Sequence, residues 1–229
     1  MRSWGYRLPI MIAASSVLAM PLEAATPRQI LAEAAFQTRD KATALAQIAE
    51  AERGAVAQLA ADAGDRDATF VRAMALGYRA KLDRSRADAM AARKQFEALA
   101  AADPRDPDAA AAVGTWHLDS VIDLGGLVAG MAIGAKKAIG LAMMDRAVTL
   151  GGNRAMYPGL AALLRLSIDP ADPRGRALAE KASAAATPQP LDRVFQRSAV
   201  AMLAPLKAGN HKAVQTLARQ LLPFGRLKR

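Results

Sequence analysis

The sequence predicts an all-α fold, a superhelical stack of antiparallel helix pairs, and three observations carry that expectation. Alanine and leucine dominate a composition that is 52% apolar and only 4% aromatic, and alanine gives up almost no side-chain entropy on entering a helix. Helix-start signals recur along the chain, each followed by apolar residues at helical spacing. No segment alternates apolar and polar residues as a half-buried strand does. At 229 residues the chain is long enough to bury a substantial core.

Thr26-Pro27 opens the first predicted helix, 27–36, because a capping residue stands before a proline whose missing N–H costs nothing at the first helical position. Gln29, three residues after Thr26, completes a capping box. A long helix follows over 40–62, with Ala44, Leu45, Ile48, Ala55, Val56 and Leu59 on one stripe, and Gly64-Asp65 ends it. The next pair spans 67–81 and 86–102; Ser85 and Asp88 form an acidic variant of the box, and Asp103-Pro104 closes the pair. Asp106-Pro107 starts a third pair, 107–123 and 135–150, which a glycine-rich stretch separates and Gly151-Gly152 closes. The fourth pair is 154–167 and 173–186, with Asp172-Pro173 opening its second helix, and the fifth is 191–207 and 210–222.

The first 24 residues read as a separate object. Arg2 and Arg7 precede an uncharged run over residues 8–20, and small residues follow at Ala24 and Ala25, the order of a secretory signal peptide. Cleavage after Ala24 places Leu22 and Ala24 at the recognition positions. The alternative is an uncleaved anchor, for which the run is short against the roughly 20 residues of a membrane span. The expected product is therefore exported, and periplasmic in a bacterium with two membranes. It has no cysteine, hence no disulfide and no lipid-attachment site.

Charge is uneven. The chain carries +10, of which +9 remains once Arg2, Arg7 and Glu23 are removed, and residues 191–229 hold +7 of it. The body from 25 to 190 is close to neutral and reads as an ordinary solvated surface. The basic excess does not point to nucleic acid: the compartment is wrong, and the few aromatic residues are not interleaved with the basic ones as stacking platforms require.

The starts near 67, 107, 154 and 191 recur at about 40 residues, longer than the roughly 34 of a tetratricopeptide unit, with the largest gap holding the glycine-rich insert. Within them Ala92, Phe96 and Pro104 have the spacing of the small residue, aromatic residue and closing proline of a tetratricopeptide repeat's second helix. Leu76-Gly77 resembles the Leu-Gly of its first helix, and Gly140, Met144 and Ala147 repeat the second-helix spacing. The chain thus resembles degenerate tetratricopeptide-repeat proteins, in detail over 67–153 and in topology elsewhere, although no unit matches the full pattern. The run from Gly114 to Asp119 with its glycine-rich sequel is similar to a subgroup that includes exported bacterial proteins and regulators of microtubule dynamics. A microtubule role does not fit an exported bacterial chain. The resemblance implies stacked helix pairs presenting a concave binding surface.

His117 is the strongest single candidate for chemistry, with Trp116 beside it and Asp119 and Asp123 within two turns, but position 117 faces away from 119. The other histidine, His211, is distant in sequence, and without cysteine a metal centre would rest on one or two imidazoles and carboxylates. Neither a Gly-x-Ser-x-Gly nucleophile context nor a strand followed by a phosphate-cradling loop is present. The reading is therefore non-enzymatic, without metal or cofactor.

Residues 124–135 carry no charge, and Gly126, Gly130 and Gly134 recur every fourth position, one bare ridge if the stretch is a helix. Two uses stay open: a hairpin packed inside the array, or a loop facing ligand or lipid. In the last helix Val214, Leu217 and Leu221 make one face with Lys212 and Arg219 off it, before a basic end with Arg226, Lys228 and Arg229. That end reads either as a membrane-surface element or as the solvated cap of a terminal repeat.

The organisation expected is a signal peptide over 1–24, a helical array over 25–222 and a basic tail over 223–229 that lacks a core role. The function expected is a periplasmic binding or scaffolding module for a protein partner or a hydrophobic ligand, with Trp116 and His117 in a groove. The alternative is a component of an anionic membrane surface that assists transport or envelope assembly through the glycine-rich insert and the basic tail.

Overall fold

The computed structural model describes residue 1 and residues 25–227. Residues 2–24 of the proposed signal peptide and the terminal Lys228 and Arg229 lie outside the described residues. The described residues are all-helical: eleven helices and one isolated bridge between Arg154 and Ala186, with no strand. They are α1 (Pro27–Phe36), α2 (Lys41–Ala61), α3 (Arg66–Asp83), α4 (Arg86–Ala102), α5 (Pro107–Leu124), α6 (Gly126–Ile133), α7 (Lys137–Leu150), α8 (Met156–Ile168), α9 (Pro173–Ala184), α10 (Pro190–Lys207) and α11 (His211–Leu221).

The caps form where the sequence places them. Thr26 and Gln29 exchange the two bonds of the capping box, and Asp106 and Asp172 each accept two backbone N–H groups behind their prolines. Ser85 accepts the N–H of Asp88 at 3.3 Å. Each such cap satisfies donors that a helix start leaves without partners.

Successive helices pack as neighbours, α1 on α2, α2 on α3, α3 on α4, α4 on α5, α5 on α7 and so on to α11. The tightest approach joins α5 to α7. A Cβ at Gly114 would meet the Met144 backbone nitrogen at 2.9 Å, and one at Gly140 would meet Leu118 Cγ at 2.6 Å, so glycine at both positions lets the two helices touch.

A second set of contacts links the first helices of the pairs: α1 with α3, α3 with α5, α5 with α8 and α8 with α10. This inner layer returns on itself. Phe36 at the end of α1 meets Phe195 of α10 edge to face, with ring centroids 5.3 Å apart. Beyond α11 the chain reaches the same place: the Phe224 N–H donates to the Ala35 carbonyl at 2.7 Å, and its ring stands edge-on to Tyr78 at 4.9 Å. Phe224 is buried among Leu31, Ala35 and Val71. The stretch after 222 therefore has a core role, contrary to the sequence expectation, because closure supplies a partner for Phe224 from the other end of the chain.

The glycine-rich stretch, whose conformation the sequence left open, forms a short helix. Its helix stops at Ile133, and Gly125 and Gly134 flank it at φ 79° and 69°, in conformations that favour glycine. Gly134 is thus outside the helix and no three-glycine ridge forms. Nothing lies within 4 Å of a Cβ built on Gly126, and at Gly130 only the Ala135 carbonyl does. The helix packs instead through Ala129 and Ile133.

Candidate functional site

The inner helices run parallel and in register, because their second residues meet. Arg28 of α1 bonds Asp67 of α3 at 2.7 Å and Asp108 of α5 at 2.9 Å. The Tyr157 hydroxyl of α8 donates to the other Asp108 oxygen at 2.8 Å, and Arg154 bonds that hydroxyl at 3.2 Å. Arg154 also pairs with Asp192 of α10, which is fully buried and accepts the Met156 N–H at 3.1 Å. This belt closes one end of the ring. Burial and the adjoining Asp108 carboxylate push the Tyr157 phenol up, so it stays a donor.

Inside the ring lies a half-open cavity of about 1450 Å³, walled by side chains such as Phe70, Met74, Tyr78, Trp116, Leu160 and Phe195. Arg84, Arg86, Asp123 and Leu124 line it and also face solvent, which puts its mouth at the end opposite the belt.

A charged cluster of the lining lies between α3 and α5. Lys81 of α3 donates to Asp119 at 2.6 Å and to Asp123 at 2.8 Å, both on α5. Burial works against the Lys81 charge, but the two carboxylates outweigh it and raise its pKa. Burial, with repulsion from Asp123, raises that of Asp119, and Lys81 counters only part of this. Tyr78 stands nearby with its phenol pushed up by burial and by Asp119. One ammonium between two carboxylates leaves a net negative polar spot at the side of an apolar chamber.

The candidate residues of the sequence separate. Trp116 lines the cavity, held by a 2.9 Å bond from its indole N–H to the Ala89 carbonyl and by Arg93 over its ring. His117 sits behind it and does not line the cavity: Nδ1 accepts the Lys136 N–H at 3.1 Å, which assigns the ring proton to Nε2, and Nε2 is buried without a partner. Burial, then the Arg93 and Lys136 charges, opposed by Glu97, lower its pKa to about 4. It is a neutral core histidine at physiological pH. Asp119 belongs to the cavity, but its carboxylate faces Lys81 rather than His117.

Gly126 and Gly130 lie within α6 and Gly134 directly follows it; none of the three lines the chamber. Arg219 lines the cavity and donates to the Ser167 carbonyl at 3.3 Å, whereas Lys212 and Arg226 are exposed away from it.

Sequence reasoning missed Arg28, Asp108, Tyr157, Lys81 and Phe195. A signal for three of them exists: Arg28, Asp67, Asp108 and Tyr157 are each the second residue of a first helix. Polar residues recurring at one register position mark helix ends that converge. No comparable signal announces Lys81.

Among the described residues no group of three or more His, Asp or Glu is arranged to hold a metal ion. No single described helix is long and apolar enough to cross a membrane; only α6 and α7 together reach that length, bent by 93° at the break. Gly140, Met144, Ala147 and Val148 of α7 are buried in the helical body. Comparison with family models, with curated proteins and with solved structures finds no match.

Proposed function

We propose that this chain is an exported, non-enzymatic helical module of the tetratricopeptide-like kind, which binds an elongated apolar or amphipathic small molecule inside its ring of helices. The observation that carries the reading is the cavity of about 1450 Å³ behind the Phe36 and Phe195 contact. Ligand pockets usually hold roughly 300–1,000 Å³, so this chamber suits a long molecule. Its apolar body would lie among Phe70, Met74 and Trp116, and its polar end at Lys81, Asp119 and Asp123. A hydroxyl or ammonium group complements that spot, since a third anion beside two carboxylates is costly.

An open array would offer its concave face to a protein partner. Here the inner face is occupied by closure from α10 and the Phe224 segment, which favours a small ligand over a folded protein. Periplasmic residence accords with the leader and with the absence of cysteine.

Fluorescence of the apolar dye N-phenyl-1-naphthylamine tests the proposal. The chain should bind it in the low micromolar range, and Ala112→Phe, which fills the wall beside Trp116, should weaken binding at least tenfold. Met74→Trp serves as a second filling variant if the first fails to fold by circular dichroism. Dye binding unchanged in a folded filling variant would refute the cavity as the site.

A further inference from the structure

Helix α6 carries an apolar face that the fold leaves uncovered. Leu127 and Met131 are 77% and 72% exposed, Val128 is 49% exposed, and Leu124 just before the helix is 46% exposed. Leu127, Val128 and Met131 stand at helical spacing on one face, opposite Ala129 and Ile133, which pack inward. Protein surfaces seldom present large apolar side chains in such a run without an interaction to match.

The surroundings of this face are cationic. Lys136 and Lys137 follow it directly, both exposed, and neither takes part in a salt bridge among the described residues. Arg84 and Arg86, exposed at the cavity mouth, likewise make none among the described residues. Of the acids around it, Asp123 is bonded to Lys81 and Glu97 to Arg93. The helix itself contains no charged residue.

We propose that α6 docks this protein on an anionic bilayer surface, inserting Leu127, Val128 and Met131 at the depth of the headgroups while Lys136 and Lys137 meet the lipid phosphates. An apolar face bordered by lysines has the chemistry of an interfacial helix, since burial and attraction to anionic lipid act together. A second copy of the chain fits less well. Face-to-face pairing would oppose like charges at Lys136 and Lys137, and three or four side chains fall short of the roughly 800 Å² per partner that a stable dimer buries. The anchoring is firm on the protein side: Arg93 reaches the Ile133 and Gly134 carbonyls at 3.5 Å and pairs with Glu97, holding the end of α6 on α4.

The placement adds a consequence that rests on the proposed ligand-binding function. Leu124, Ala132 and Ile133 line the cavity, so the wall of the chamber is continuous with the docking helix. Contact with a bilayer at α6 brings the mouth to the lipid surface, where an amphipathic ligand exchanges without crossing water.

Flotation with vesicles tests the docking. The purified full chain and its variants are compared on vesicles of phosphatidylcholine alone and with 30% phosphatidylglycerol, so any contribution of residues 1–24 is common to all. The chain should float with the anionic vesicles, and the double variant Leu127→Ser, Met131→Ser should lose at least tenfold in partition. Lys136→Gln with Lys137→Gln should bind neutral and anionic vesicles alike. Dye binding measured on the same samples should be unchanged by the α6 variants, which separates failure of docking from failure of the cavity. Flotation unaffected by the serine variants would overturn the proposal. So would a dimer in analytical ultracentrifugation that those variants dissolve, because the face would then belong to a second copy.

Discussion

Replacement of Phe224 by alanine probes the closure on which the cavity depends. The ring is buried to 7% exposure against Leu31, Ala35 and Val71 and stands edge-on to Tyr78. Burying such a side chain contributes about 1.5–3 kcal/mol, and an aromatic pair adds about 0.5–1.5 kcal/mol. The N–H bond to the Ala35 carbonyl survives in alanine. The left-handed backbone at φ 62° is costly for either residue and drops out of the difference. The expected loss is about 3 kcal/mol, capped by whatever free energy holds residues 222–227 to the body, since beyond that limit the segment releases locally.

If the closure belongs to the cooperative unit, that loss lowers Tm by roughly 6–12 °C for a domain of this size. The 224 amide should then exchange with solvent much faster, and dye affinity should fall, because Phe224 and Leu227 line the cavity. Hydrogen exchange, thermal unfolding and dye titration on one preparation read all three. An unchanged Tm, exchange rate and dye affinity together would refute the closed ring.

Gly140→Ala should destabilise by about 1–2 kcal/mol in urea unfolding, against the helix-propensity gain of about 1 kcal/mol, because its Cβ meets Leu118 Cγ at 2.6 Å and His117 Cβ at 3.0 Å. Gly126→Ala, with nothing within 4 Å of the added carbon, should be neutral or stabilising by up to about 1 kcal/mol. His117 predicts a pH dependence. Its folded pKa of about 4 lies below the ordinary 6.5, so the unfolded chain takes up the proton first as pH falls. The stability it contributes is complete well above pH 6.5 and lost progressively toward pH 4, about 1.6 kcal/mol of it between 6.5 and 5. Unfolding free energies from urea titrations at those two pH values should differ by that amount in the natural chain and much less in His117→Gln.

The legible part of the fold was local. Thr26-Pro27, Asp106-Pro107 and Asp172-Pro173 announced helices that start there, since a cap and the donors it satisfies lie within one turn. The close approach of α5 and α7 was foreshadowed by the small residues Gly140 and Ala147. Helix α6 was not legible as a short helix: no side chain caps its start, and uncharged glycine-rich sequence suits helix and loop alike. Trp116 lines the cavity and His117 does not, because neighbours on a helix point about 100° apart, a separation that grouping the two by adjacency overlooks.

By itself, then, the sequence determined that this chain is helical, where most helices begin and end, and which stripe of each is apolar, because those properties depend on residues three or four positions apart. Only the tertiary structure decided that the row of helices closes. Phe36 finds Phe195, Ala35 finds Phe224 and Lys81 finds Asp119 only once the accumulated angles of many helix packings bring distant elements together. Such angles are set by how side chains interlock across each interface, a property of pairs of surfaces that no single segment carries.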